Sequence, residues 1–268
     1  MPTFPTPDPI TAVIEVVAGS VHLVATDRDD TVVDVRPRDP NRSSDIRAAE
    51  QTRVDFRNGT LTVSAGRRFV SLGRGGAVTI DVELPSRSRL QASAASADVR
   101  ADGEFAEFRF ASASGDVIAD SVTGNVKADT ASGDMTAQSV TGSAVVATAS
   151  GGATIGDLDG DVKFRTASGS LKVGRLHGTV NAQTASGDVT VATAINGTVS
   201  VQSSSGEVEV GIAEGTAARL DLRTGTGRVR NNLNSADGPA EGDETLDVLV
   251  RTASGDIGVQ RATGPAAA

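Results

Sequence analysis

The stretch TASGDMTAQSVTGSAVVATASGG (residues 130–152) says nearly the same thing twice, and its interval constrains the fold more than any other feature. Aligned on the serine of the Ser-Gly-Asp motif, Ser96, Ser114, Ser132, Ser150, Ser168 and Ser186 recur every eighteen residues. A glycine series subdivides that interval: Gly115, Gly124, Gly133, Gly142, Gly151, Gly160, Gly169, Gly178 and Gly187 are nine apart without a miss. The rhythm then slips by one residue at Gly197 and Gly206, and RTGTGRV (223–229) and RTASGDIGV (251–259) restate the motif after longer gaps. Self-similarity at a fixed period is the mark of a stacked repeat architecture.

Each nine-residue half reads as a short strand and a turn. In SGDVIADSV the residues Val117, Ala119 and Val122 are separated by Ile118 and the polar Asp120 and Ser121, and in GNVKADTA Val126, Ala128 and Thr130 alternate with Lys127 and Asp129. Period-two alternation buries one face of a strand. Turns recur too often for an amphipathic helix. Glycine at each corner is expected to supply the positive φ of a sharp turn, with Asp or Asn beside it tolerating that geometry. The fold expected is all-β: a parallel β-solenoid (β-helix) of about 18-residue coils, with two strands per coil and irregular N-terminal cap strands. The inward columns expected are Val99, Val117, Met135, Ala153, Leu171, Val189 and Val208 on one strand. On the other they are Phe108, Val126, Ala144, Val162, Val180 and Val199, beside Phe110, Ala128, Val146, Phe164, Ala182 and Val201. Volumes trade within a coil, small Ala153 with large Phe164 and Leu171 with Ala182, as close packing of a thin core requires. No coil buries enough to stand alone, so stability is shared between neighbours.

Composition supports this reading. The 268 residues include no Trp, no Tyr and seven Phe, so Val, Ala, Leu, Ile and Thr must fill the core. Thirty Gly against nine Pro fits many tight turns, and the absence of Cys removes disulfides and thiolate metal sites. The opening MPTFPTPDPITAV lacks the features of a signal peptide, and no apolar run is long enough for a membrane helix, so a cytoplasmic location without membrane insertion is expected. A net charge of −9 disfavours a broad nucleic-acid-binding surface.

Along the chain, residues 1–9 read as a flexible lead-in and 10–95 as an N-terminal cap with the first irregular coils. Residues 96–230 read as the regular repeats, 231–262 as an acidic loop and final coil, and 263–268 as a tail. Two insertions stand out. GRRFVSLGRGG (66–76) offers Arg67, Arg68, Phe69, Leu72 and Arg74 as a candidate partner-contact loop, and NNLNSADGPAEGDETLD (231–247) carries Asp237, Glu241, Asp243, Glu244 and Asp247. Long loops on a rigid scaffold often hold function.

The order of DTVVDVRPRDP, EQTRVDF, VTIDVELPSRSRL, the Ser-Gly-Asp-Val repeats and the closing RTASGDIGVQRA resembles a bacterial β-strand-repeat family of unknown function, known as "putative adhesins". The resemblance covers roughly residues 10–262. It implies a β-solenoid and surface adhesion, and it supplies no catalytic residues.

No enzymatic constellation is visible. His22 and His177 are isolated in sequence, and no nucleophile-elbow, phosphate-loop or HExxH motif occurs. No cofactor is implied. Asp98, Asp116 and Asp134 would stack as an acidic column, with Asp188 and Glu207 resuming it after Gly152 and Ser170. That spacing suggests either calcium coordination or plain corner chemistry. Thr130, Thr148, Thr166 and Thr184 form a hydroxyl ladder suited to an ordered surface or to strand stacking alone. The function expected is a non-catalytic scaffold binding a protein or glycan, monomeric or weakly self-associating. The alternative is a self-assembling cytoplasmic filament, and a cleft enzyme using paired carboxylates is a third reading.

Overall fold

The computed structural model describes residues 1–66, 76–234, 238–239 and 243–262. The chain is all-β, with one helix among the described residues, and no helix there is long and apolar enough to cross a membrane. It divides into two compact units, Met1–Ala137 and Gln138–Ala268.

The first unit contains β1 (Thr3–Pro5), β2 (Thr11–Thr26), β3 (Asp30–Pro37), α1 (Ser43–Gln51), β4 (Arg53–Arg57), β5 (Thr60–Ala65), β6 (Val78–Pro85), β7 (Ser88–Ser114), β8 (Val117–Val122) and β9 (Val126–Ser132). Parallel pairing at the sequence period joins β7 to β8, with Val99 opposite Val117, and β7 to β9, with Phe108 opposite Val126. On its N-terminal part β7 pairs in parallel with β2, and β2 pairs on its other side with β5 and β6. The first long strand thus lies between strands that follow it in sequence. Antiparallel strands finish this edge: β3 on β6, β4 on β5 and β1 on β3. The β4–β5 hairpin turns at Asn58-Gly59, with φ of 50° and 72°, as a two-residue hairpin favouring the right-handed twist demands. Phe4 of β1 stacks on Phe56 of β4, ring centroids 5.4 Å apart.

Helix α1 falls in RDPNRSSDIRAAEQT, which shows no apolar period. Ala48, Ala49 and Glu50 are good helix formers, and Asp45 sits in the first turn, where an acid suits the dipole.

Strand β10 (Met135–Thr148) spans the division between units. The second unit continues with β11 (Ala153–Thr166), β12 (Leu171–Ser186), β13 (Val189–Ser205), β14 (Val208–Ile212), β15 (Thr216–Thr224), β16 (Val229–Asn231), β17 (Glu244–Ser254) and β18 (Ile257–Arg261). Strands β11, β12 and β13 stack in parallel, Ala153 on Leu171 on Val189, then Val208 of β14 and Ile257 of β18. The second segment runs Phe164, Ala182, Val201 and then Val250 of β17. All nine of these side chains are at most 1% exposed. The one-residue slip before Gly197 is a bulge at Ile195, after which Gly178 faces Gly197. Thr216 donates its hydroxyl to the Ile195 carbonyl, 2.7 Å away.

Stacking does not follow chain order. Strand β17 lies between β13 and β15, and β18 between β14 and β16, so residues 244–261 occupy a place inside residues 216–231. A further interior column, Leu158, Leu176, Ala194 and Ile212, is buried to the same degree and was not among the expected columns.

The glycines divide into two kinds. Gly178 has φ +129°, and a Cβ there would lie 2.2 Å from the Gly160 carbonyl oxygen. Gly187 of the Ser-Gly-Asp series has no positive φ, so the expectation of one at each corner does not hold there. Its Cβ would lie 1.9 Å from the Gly169 oxygen. It is glycine because the preceding corner lies directly against it.

Candidate functional site

The acidic column is corner chemistry. Asp98 Oδ1 accepts the Asp116 amide at 3.1 Å, and Asp116 Oδ1 accepts the Asp134 amide at 2.9 Å. In the second unit Ser170 Oγ accepts the Asp188 amide at 3.2 Å and Asp188 Oδ1 the Glu207 amide at 2.9 Å. Each short side chain holds the backbone N–H of the next corner, which explains why Ser170 can interrupt the acids without breaking the ladder. Among the described residues no three His, Cys, Asp or Glu side chains form a group that could hold a metal ion. The serines add rungs of their own, Ser96 to Ser114 at 2.9 Å and Ser186 to Ser205 at 3.1 Å.

His22 belongs to an outward ion-pair cluster. Its Nε2 lies 2.8 Å from Asp102 Oδ2 and its Nδ1 3.7 Å from Asp81 Oδ1, while Arg100 donates to Asp102 at 3.0 Å and Arg36 to Asp81. The Arg100 guanidinium, joined by His22 and opposed by partial burial, holds the Asp102 carboxyl below its ordinary range. The cluster stitches β2, β6 and β7 on their exposed side. His177 lies half-buried on β12, facing Asp159 and Asn196 in the ladder.

The candidate contact loop residues Arg67, Arg68, Phe69, Leu72 and Arg74 lie outside the described residues, as do Asp237 and Glu241. The downstream stem of that loop is held by Asp45. Its carboxylate, 2% exposed, accepts the Ala77 amide at 3.2 Å, the Ser44 hydroxyl at 3.0 Å and the Asp39 amide at 3.3 Å. Burial pushes the Asp45 carboxyl up, but these donors and Arg42 outweigh it and leave it below its ordinary value. Of the acidic excursion, Glu244 accepts from Asn196 at 3.0 Å and Asp247 from Arg219 at 3.1 Å, both as structural partners.

The outer face of the second unit carries a row of long polar side chains. The register places Arg165, Gln183, Gln202, Arg251 and Arg223 side by side on β11, β12, β13, β17 and β15. Strand spacing sets them about 4.8 Å apart. All five are exposed, and among the described residues Arg165 and Arg251 have no carboxylate within ion-pair distance. Beside this row runs an open groove of about 580 Å³, lined by Thr148, Arg165, Thr166, Gln183, Thr184 and Gln202. Three members of the hydroxyl ladder, Thr148, Thr166 and Thr184, lie along it. Their hydroxyls serve the corners: Thr148 Oγ1 accepts the Gly151 amide at 2.9 Å, Thr166 Oγ1 donates to the Ala149 carbonyl at 3.5 Å, and Thr184 Oγ1 is buried. The row of long amide and guanidinium side chains was missed in sequence because RTASG, QTASG and QSSSG read as turn repeats. The signal was the residue two before each Ala-Ser or Ser-Ser.

Among solved structures the chain is similar to a "putative adhesin" from Bacteroides fragilis NCTC 9343, at 11% identity over 96% of this chain and 95% of that one, with a TM-score of 0.43. It is also similar to a "putative cell adhesion protein" from Clostridium sporogenes ATCC 15579, at 9% identity over the same shares of each chain, with a TM-score of 0.24. A search of curated proteins finds no match. Residues 13–260 match the Toastrack DUF4097 family, and over that span, nearly the whole described chain, the protein belongs to it.

Proposed function

We propose that this protein is a non-catalytic β-solenoid scaffold of 18-residue, two-strand coils whose repeating outer face binds an extended, acidic glycan. The observation that carries this reading is the row Arg165, Gln183, Gln202, Arg251 and Arg223 beside the open groove. A polymer with acceptors recurring along its length meets one donor-bearing side chain per strand. Arg165 and Arg251 supply charge-assisted hydrogen bonds to carboxylates, which are stronger than neutral ones. Each contact on so open a face is weak, so affinity comes from repetition.

The test is binding of polygalacturonate, with neutral amylose as comparison, to wild type and to the Arg165→Ala/Arg251→Ala double variant. Losing two charge-assisted contacts should weaken polygalacturonate binding about tenfold or more. Arg57→Ala, on the β4–β5 hairpin of the first unit, should leave it unchanged. Absence of polygalacturonate binding, or equal binding by the double variant, overturns the glycan reading. Capture of an extended acidic peptide through the same two arginines would replace the glycan with a protein segment.

A further inference from the structure

The second unit ends on a strand whose condition points to a partner. Strand β15 pairs with β17 on one side, and among the described residues no strand pairs with the other. Ala218, Leu220 and Leu222 continue the interior columns of Leu246, Val248 and Val250. Those three β17 residues are at most 1% exposed, whereas the β15 residues are only half-buried, and Val229 on β16 is 46% exposed.

Folded proteins blunt such edges with proline, very short strands, charged side chains or a covering element. The first unit does so: β5 and β6 carry β4 and β3, and the short β1 beyond them ends at Pro5. Strand β15 is nine residues long, TAARLDLRT, with neither proline nor glycine, and its charges, Arg219, Asp221 and Arg223, are of both signs, so they do not repel a second copy in every register.

Its sequence is also self-complementary. Antiparallel pairing of β15 with itself about Leu220 sets Leu220 against Leu220 of the partner subunit. The same register sets Ala218 against Leu222 of the partner subunit, and Arg219 against Asp221 of the partner subunit, twice over by symmetry. Centring on Asp221 opposes two carboxylates, and centring on Arg219 opposes two guanidinium groups. A half-step between residues sets apolar side chains against charged ones on the wrong face. Centring on Leu222 also opposes leucines and sets Asp221 against Arg223, but it overlaps only residues 220–224, whereas the register about Leu220 pairs the whole strand, 216–224.

We propose that β15 is a dimerisation edge, joining antiparallel to β15 of a second copy about a two-fold axis at Leu220. An isologous contact closes on itself, so growth stops at two chains rather than continuing as a filament. In the dimer Arg219 lies between Asp247 of its own chain, 2.9 Å away, and the partner's Asp221.

Sedimentation velocity over a wide concentration range should show a monomer–dimer equilibrium. Arg219→Asp, which opposes like charges at two places, should weaken dimerisation about tenfold or more. Arg219→Asp/Asp221→Arg should restore it, which a merely destabilised fold would not do. The sequence has no cysteine, so the register can be read by oxidation. Leu220→Cys should form a disulfide-linked dimer. Leu222→Cys should not, because the two copies of residue 222 lie about 13 Å apart along the strands. A monomer at every concentration, assembly beyond two chains, failure of the charge swap to restore pairing, or equal linking at 220 and 222 each overturns the proposal. A monomer that dimerises only after deletion of residues 235–242 would make that segment the occupant of the edge, and also overturns it.

Discussion

Three glycine-to-alanine substitutions separate backbone strain from backbone collision. At Gly59 φ is +72° and nothing lies within 4 Å of the place a Cβ would take, so Gly59→Ala meets strain alone, about 1 kcal/mol. At Gly187 φ is not positive, but the Cβ would stand 1.9 Å from the Gly169 oxygen and 2.6 Å from its carbonyl carbon. The added methyl needs more than about 3 Å of clearance, the usual limit of close packing. Because backbone cannot rotate aside as a side chain can, the two corners must separate by roughly 1 Å, at an overpacking cost of about 1–3 kcal/mol. At Gly178 both penalties apply, with φ +129° in a region nearly exclusive to glycine and the Gly160 oxygen 2.2 Å away, for about 2–6 kcal/mol together. Urea unfolding at neutral pH gives the free energies, and amide exchange on the flanking strands reports whether the loss is local. The expected order is Gly178→Ala worst, Gly187→Ala next and Gly59→Ala mildest. If Gly187→Ala costs no more than Gly59→Ala, the corners are not stacked as closely as described and the reasoning fails.

Val126 is 1% exposed against Phe108, so Val126→Asp buries an unpaired carboxylate and should cost about 4 kcal/mol or more, whereas Lys127→Asp, losing only its exposed pair with Asp129, should stay within about 1 kcal/mol in the same unfolding assay. The depressed Asp45 carboxyl stabilises the fold above the ordinary carboxylate range and loses that contribution as pH falls through its lowered folded value. Asp45→Asn should therefore be less stable at neutral pH and show a shallower acid-side decline in unfolding free energy.

Much of the fold was readable because alternation and an eighteen-residue interval fix which side chains face inward and at what register they repeat. Val117, Val126 and Phe164 are all interior for that reason. Alternation cannot fix which strand becomes whose neighbour. Val248 and Val250 fit any equivalent place in the stack, so nothing local foretold that β17 would seat inside β15, or β2 inside β5 and β6. Helix α1 escaped notice because its one buried side chain is the charged Asp45, whose partners come from Ala77 and Asp39 rather than from an apolar stripe. The acidic ladder was legible as a column, but its use was not: only geometry shows the carboxylates turned onto the next backbone amide. The donor row on the outer face was hidden because surface positions tolerate any polar residue, so Arg165 and Gln202 carry no periodic hydrophobic signal.

The seating of β17 and β18 inside β15 and β16 sets an order of events during synthesis. Residues 216–231 emerge from the ribosome before residues 244–261, the strands they rest on in the finished fold. A stop codon just before residue 244 would therefore remove two layers from the stack rather than one, since β17 and β18 would be missing and β15 and β16 would lack the strands they pair with, leaving β13 and β14 as a raw margin.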